Sequence, residues 1–169
     1  MSGENSAFDL LHKNIQQWIY KNGWEELRPA QVESIKEIRQ TSNHLIICSP
    51  TASGKTEAAM LPLISELLEK NIYEKSYIIY ISPLKALIND QFTRLESLCK
   101  DNEVCVVPWH GDISSSIKKK IDKNNQAILL ITPESLEAML INTPTKAKLI
   151  FKHAISIVID EFHSFLGND

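Results

Sequence analysis

The chain has 169 residues, 43% hydrophobic and 23% charged, with 18 basic against 21 acidic side chains and a net charge of −3. That length suits one domain with a proper core, and the composition is that of a soluble globular protein. The balance of charge excludes a protein that captures nucleic acid by bulk electrostatics, so any such contact has to come from local groups. The one dense basic run, Lys118-Lys119-Lys120 with Lys123, reads as a solvated helix face. No apolar run approaches the ~18 residues of a membrane span. The first residues lack the basic flank and apolar stretch of a secretory signal, so a cytoplasmic protein with no membrane partner is expected. Cys48, Cys99 and Cys105 have neither metal-like nor disulfide-like spacing and are expected as buried thiols.

In chain order, residues 10–20 are predicted helical, and residues 29–39 form a second helix with Pro29 in its first turn. Strand-like runs at 45–48, 77–81, 104–107, 128–131 and 155–159 then alternate with helical stretches at 55–70, 84–100, 114–122 and 134–141. Strands apolar on both faces and separated by helices predict an α/β fold, a mainly parallel sheet with a helical layer on each side.

Two polar clusters follow such strands. Ser49-Pro50-Thr51-Ala52-Ser53-Gly54-Lys55-Thr56 comes directly after Leu45-Ile46-Ile47-Cys48, and Asp160-Glu161-Phe162-His163 directly after Ile155-Ser156-Ile157-Val158-Ile159. Open α/β sheets place their ligands at the carboxyl ends of strands. A loop that leaves a strand and opens a helix aims several N–H groups, and the positive end of the helix dipole, at one spot suited to a polyphosphate. Gly54 permits close backbone approach, Lys55 supplies a point charge to the β- and γ-phosphates, and the Thr56 hydroxyl is a candidate magnesium ligand. The general pattern has glycine where Ser49 stands, and a small residue still makes the turn. Asp160 is the second candidate metal ligand, and Glu161 is placed to polarise an attacking water. The two clusters together predict a site for a nucleoside triphosphate and Mg²⁺ with Lys55, Asp160 and Glu161 as its catalytic groups.

These segments, with four more in a fixed order, resemble the superfamily-2 helicases of the DEAD/DEAH-box type, in a DExH form. Leu27-Arg28-Pro29-Ala30-Gln31 looks like the Q motif, which implies that Gln31, with Arg28 beside it, reads the adenine edge. Ser49, Pro50, Thr51, Ala52, Ser53, Gly54, Lys55 and Thr56 look like motif I, and Asp160 to His163 like motif II, His163 being a candidate link between the nucleotide and another surface. Ser82-Pro83-Leu84-Lys85-Ala86-Leu87, Trp109-His110-Gly111-Asp112 and Thr132-Pro133-Glu134-Ser135-Leu136 resemble motifs that contact nucleic acid. They make Pro83, Leu84, Lys85, His110, Gly111, Asp112, Thr132, Pro133 and Glu134 candidates for a backbone track with little sequence preference, on DNA or RNA. Ser-Pro and Thr-Pro also start helices with a cap and a first-turn proline, and both roles are compatible. The wording of these segments is closest to the large helicase-related (Lhr) group.

The resemblance implies a three-layer RecA-like phosphate-loop domain, with residues 1–40 as leading helices and residues 1–169 as the amino-terminal part of the ATP-binding domain. It also implies a second RecA-like domain carrying arginine fingers, and a motif III strand between the phosphate-loop strand and the acidic-motif strand. Neither has a counterpart in the 169 residues, so the sheet is expected to be incomplete at its carboxyl end and the chain to be a piece of a longer protein. The two key strands must then pair directly or leave a gap that exposes backbone. The expected function is the Mg-ATP-binding portion of a nucleic-acid-dependent ATPase that hydrolyses ATP as a whole protein, with negligible turnover by this chain alone. The alternative is a non-catalytic fragment serving as an interaction module. A small phosphate-loop kinase would leave Gln31 and the Thr-Pro-Glu segment unexplained.

Overall fold

The computed structural model describes residues 6–49 and 54–165, arranged as two compact units, Met1–Glu69 and Lys70–Asp169.

The first unit is helical. Helix α1 (Lys13–Lys21) starts where His12 Nδ1 accepts the Asn14 N–H at 3.2 Å, and α2 (Pro29–Gln40) starts on Pro29, whose missing N–H costs nothing in a first turn. Helix α3 (Lys55–Glu69) is the long apolar element, burying Ala58, Met60, Leu61, Ile64 and Leu67. Ile15 and Ile19 are the buried apolar residues of α1, and Ile35 that of α2. Polar ties fix the helices: the His12 N–H donates to Ser65 Oγ at 3.0 Å, Arg39 Nε donates to the Leu10 carbonyl at 3.0 Å, and the Arg39 guanidinium pairs with Glu69.

One sequence expectation fails in this unit. Residues 45–48, predicted as a strand, are irregular and join no sheet, with Leu45 39% and Ile46 81% exposed. A strand needs a neighbour for its N–H and C=O groups, and β-branched composition cannot supply one. Cys48, expected as a buried thiol, is exposed for the same reason.

The second unit is a four-stranded parallel sheet in the order β2-β3-β1-β4. Strand β1 (Ser76–Ile81) leads through α4 (Lys85–Cys99) to β2 (Cys105–Trp109). Two short helices, α5 (Ser115–Lys118) and α6 (Lys120–Lys123), replace the single helix expected at 114–122 and lead to β3 (Gln126–Ile131). Helix α7 (Pro133–Asn142) and an additional helix, α8 (Pro144–Lys152), precede β4 (Ala154–Ile159). A short 3₁₀ turn, Phe162–Phe165, follows. Pro108 lies in β2, where an outer strand tolerates the missing N–H.

One face of this sheet carries Tyr77, Ile79, Val107, Leu129 and Ile131, packed with Ile121, Met139, Ala147 and Ile150 from α6, α7 and α8. In the register, Ile157 and Ile159 of β4 sit beside Ile79 and Ile81, yet they are 52% and 45% exposed. Strand β4 is an outer strand bonded only to β1 among the described residues.

Candidate nucleotide and nucleic-acid sites

In the first unit, the loop before α3 is set by Gly54. Its φ of +85° lies in the left-handed region, and its carbonyl accepts the Ala58 N–H at 2.9 Å to start α3. A Cβ at this position would stand 2.6 Å from Gln31 Nε2. Gln31 is buried and its Oε1 accepts the Arg28 N–H at 2.9 Å, so the glutamine is held against the glycine by the start of α2. Arg28, one residue before α2, is exposed. Lys55 Nζ donates to the Ser49 carbonyl at 2.8 Å, bringing its cation to the near end of the loop. Thr56, half-buried, occupies the first turn. The candidates Pro50, Thr51, Ala52 and Ser53 lie outside the described residues. The chemistry here fits a polyphosphate: an ammonium, a helix amino end and a glycine whose missing Cβ keeps backbone and glutamine together. A cleft of about 590 Å³ elsewhere in this unit is lined by Phe8, Ile19, Trp24, Leu27 and Val32 among others, without Gln31 or Lys55.

In the second unit, the strands end together. Trp109, Ile131, Ile81 and Ile159 are ladder partners across β2-β3-β1-β4, so the next residues, His110, Thr132, Ser82 and Asp160, form one row along the carboxyl edge. The Ser82 N–H to the Ile131 carbonyl at 3.1 Å and the Asp160 N–H to the Ile81 carbonyl at 2.8 Å extend the ladder into that row. At a strand spacing of ~4.8 Å, the row runs about 14 Å from His110 to Asp160.

Each member of the row has its own circumstances. Asp160 is half-exposed, and its Oδ1 accepts the Glu161 N–H at 3.0 Å. No hydrogen bond reaches its Oδ2 among the described residues. One carboxylate oxygen therefore remains to meet a cation, which fits Mg²⁺, an ion held by one or two carboxylates together with substrate phosphates. Among the described residues no cluster of three or more histidine, cysteine or carboxylate side chains forms an all-protein metal cage. Glu161 adopts a φ of +48°, uncommon for a side-chain-bearing residue, which turns the chain sharply after Asp160. His163 Nδ1 stands 3.4 Å from Glu161 Oε2 and is largely exposed.

Ser82 is completely buried, and its hydroxyl has no hydrogen-bond partner among the described residues. Thr132 is also buried, and its hydroxyl caps α7, accepting the Ser135 N–H at 3.3 Å and donating to Ser135 Oγ at 3.0 Å. The capping role is thus the one seen for Thr132, while Pro133 is half-buried and Glu134 exposed in the first turn of α7. Pro83 is half-buried, and Leu84, 60% exposed, precedes α4.

Lys85 Nζ lies 2.8 Å from Asp112 Oδ2, joining the start of α4 to the turn after β2. This hydrogen bond and its charge hold the Asp112 carboxyl below the usual carboxylate range. The buried His110 ring places Nε2 3.3 Å from Asn89 Oδ1, and Nδ1, which has no hydrogen-bond partner among the described residues, 3.8 Å from Asp112 Oδ2. Burial lowers the His110 pKa, Lys85 and Lys118 lower it further, and Asp112 partly offsets them. Gly111 lies between the two, exposed.

Asn89 and Lys146 are not singled out in the sequence, and Lys118, read there as part of a solvated helix face, is half-buried. Asn89 sits four residues after Lys85, on the same face of α4, a spacing visible once the helix is drawn. Lys146 of α8 and Lys118 of α5 stand over the Trp109 ring, 4.9 and 5.7 Å from its centroid. That pairing has no sequence signal.

Comparison with known proteins gives this geometry a family. The model of the DEAD/DEAH box helicase family matches residues 28–169. The chain is 34% identical to the ATP-dependent helicase Lhr-Core of Methanocaldococcus jannaschii, over 95% of its own length and 21% of the relative's. It is 28% identical to the ATP-dependent helicase YprA of Bacillus subtilis, over 94% and 21%. Among solved structures, helicase MrfA bound to DNA and AMPPNP superposes with a TM-score of 0.80 at 25% identity, covering 93% of this chain and 22% of that one. Mss116p bound to single-stranded RNA and AMP-PNP gives 0.81 at 22% identity, covering 99% and 35%, which speaks for the fold alone.

The chain therefore belongs to the DEAD/DEAH box helicase family, and its α/β fold is that of RecA-like helicase domains. It spans about a fifth of the length of the curated relatives it matches. Among the described residues no helix is long and apolar enough to cross a membrane.

Proposed function

We propose that this chain is the Mg-ATP-binding portion of a nucleic-acid-dependent ATPase, the amino-terminal part of its first RecA-like domain, with residues 1–40 as leading helices. Lys55 and the backbone N–H groups of the loop from Ser49 to Thr56, through Thr51, Ala52 and Ser53, take the phosphates, while Pro50, which has no N–H, shapes the loop. Gln31 and Arg28 take the adenine. Thr56 and Asp160 hold Mg²⁺, Glu161 orients the attacking water, and His163 relays the state of Glu161. Bound Mg²⁺ supplies charge neutralisation at the phosphates. The observation that most supports this is the junction of Gly54, Gln31 and Lys55: a left-handed glycine opening a 15-residue helix, a buried glutamine against it, and an ammonium turned to the loop.

The edge carrying Pro83, Leu84, Lys85, His110, Gly111, Asp112, Thr132, Pro133 and Glu134 contributes half of a nucleic-acid backbone track, on DNA or RNA. A second RecA-like domain supplies the other half and the arginine fingers, worth roughly 10³–10⁵ in rate for phosphate-loop enzymes. The whole protein is the ATP-dependent helicase, and this chain alone turns over negligibly. The proposed setting is the cytoplasm. Equilibrium binding of a fluorescent ATP analogue with and without Mg²⁺ tests the nucleotide half. Lys55→Ala is expected to weaken it about tenfold or more, equivalent to roughly 1.4 kcal/mol. Unchanged affinity in that variant would remove the reading.

One observation favours a second reading, an interaction module. Outer strand β4 presents Ile157 and Ile159 more than two-fifths exposed, the kind of edge that recruits another polypeptide. Partner capture indifferent to Lys55→Ala would support it.

A further inference from the structure

Three groups converge after β2, and their geometry sets up a competition. Asp112 Oδ2 is the shared acceptor: Lys85 Nζ holds it at 2.8 Å while His110 Nδ1 waits at 3.8 Å. With Asn89 Oδ1 as acceptor the neutral ring carries its proton on Nε2, which leaves Nδ1 as a lone pair, buried and without a hydrogen-bond partner among the described residues. The Lys85 and Asp112 side chains are 52% and 71% exposed, so their pair is screened and readily exchanged. An incoming phosphate needs the same ammonium that Asp112 occupies.

We propose that Asp112 is a built-in rival for the phosphate that Lys85 takes, and that His110 receives the displaced carboxylate, so polyanion binding at this edge takes up a proton. This rests on the nucleic-acid reading above. When phosphate claims Lys85, the Asp112 carboxylate loses its cation, and the nearest replacement is an Nδ1–H on His110. Protonation at Nδ1 satisfies the orphaned nitrogen and the freed carboxylate together, while Nε2–H keeps its bond to Asn89. The charges facing His110 are Asp112 from its own turn, Lys85 from α4 and Lys118 from α5, with Asn89 neutral beside it. Two of the three oppose protonation, and binding phosphate weakens one of those two. Affinity therefore rises as pH falls, beyond what the phosphate's own charge gives. It also rises when Asp112 is neutralised.

Two measurements on the full chain test this. The first needs no nucleic acid: the His110 imidazole is titrated by NMR in wild type, Lys85→Met, Asp112→Asn and the double variant. Removing Lys85 is expected to raise the His110 pKa by roughly half a unit or more, and by clearly less when Asp112 is already Asn. An equal rise in both backgrounds overturns the proposal, because Asp112 would not be the mediator. The second is fluorescence anisotropy with a labelled oligothymidylate at fixed ionic strength, at about pH 8 and about pH 6. Asp112→Asn is expected to bind about three- to fivefold tighter than wild type at the higher pH, the range of an exposed ion pair. Wild type should tighten at the lower pH, and Asp112→Asn should not. Binding with no gain in Asp112→Asn, or with the pH response intact in it, overturns this inference and leaves the nucleic-acid reading standing. No binding by any variant overturns both, even if the His110 shift is seen.

Discussion

Gln31 and Gly54 touch so closely that a single methyl group on the glycine would stand 2.6 Å from the glutamine nitrogen. The glutamine cannot simply swing away, because it is buried and its other terminal atom holds the Arg28 N–H. Gly54→Ala also puts a Cβ on a residue with a φ of +85°, a conformation costing an L side chain roughly 1–2 kcal/mol. The variant is expected to lose about that much stability by urea denaturation and to bind nucleotide at least several-fold more weakly. Adding Gln31→Ala removes the clash but not the strain, so it should recover only part of the stability. Full recovery would show that the backbone is not strained.

Ser82 offers an opposite case. A buried hydroxyl without a partner costs roughly 1–3 kcal/mol relative to a satisfied one. Ser82→Ala is therefore expected to raise stability by about 1 kcal/mol, read as a higher urea midpoint at unchanged slope. A loss instead would mean that the hydroxyl has a partner after all.

Thr132→Ala separates capping from contact. Losing the cap of α7 is expected to cost about 1 kcal/mol. Thr132→Ser keeps the oxygen and should restore most of it. Equal losses in both variants would assign the cost to the buried methyl.

The pH dependence of stability has a defined sign. His110 is depressed below its ordinary 6.5, first by burial and then by Lys85 and Lys118, so well above that value it is uncharged in both folded and unfolded chains. As pH drops below 6.5 the unfolded chain binds the proton first, and stability declines until the folded pKa is passed. Asp112 is also depressed, so its contribution is present above 3.8 and disappears only as pH falls through its own lowered value, a separate window. Urea midpoints measured across pH in wild type and His110→Asn check this: the decline starting near 6.5 should shrink in the variant. An identical profile would place the titration elsewhere.

Much of the parallel unit was legible because its strands are doubly buried and so read as unbroken apolar runs, as in 77–81 and 128–131. Boundaries drifted where a proline intervened: β2 continues through Pro108, which composition alone takes for a stop. Helix α8 went unread although Thr143-Pro144 repeats the Thr132-Pro133 start of α7. The run at 45–48 misled for a deeper reason. Apolar β-branched residues record a preference for a pleated, half-covered surface, and only a neighbouring strand turns that preference into structure. In the site, Lys85 was legible as a cation and Asp112 as an anion, but their mutual pairing depends on how α4 returns to β2, which lies beyond local pattern.

The outer strand predicts behaviour in concentrated solution. Ile157→Lys puts a charge on β4 where the side chain is already half in water, so stability should change by less than about 0.5 kcal/mol. Self-association, followed by sedimentation, should decrease, since a charged edge resists pairing. Unaltered sedimentation would show that β4 is not the sticky element.

The thiols give the molecule an unplanned handle. Burial pushes Cys99 up to about 12 and also raises Cys105, so both stay protonated and slow toward alkylating reagents. Cys48 is exposed one residue before Ser49. A maleimide dye should therefore attach there selectively in the native protein, making the unmodified sequence a one-colour optical sensor for whatever settles into the neighbouring loop.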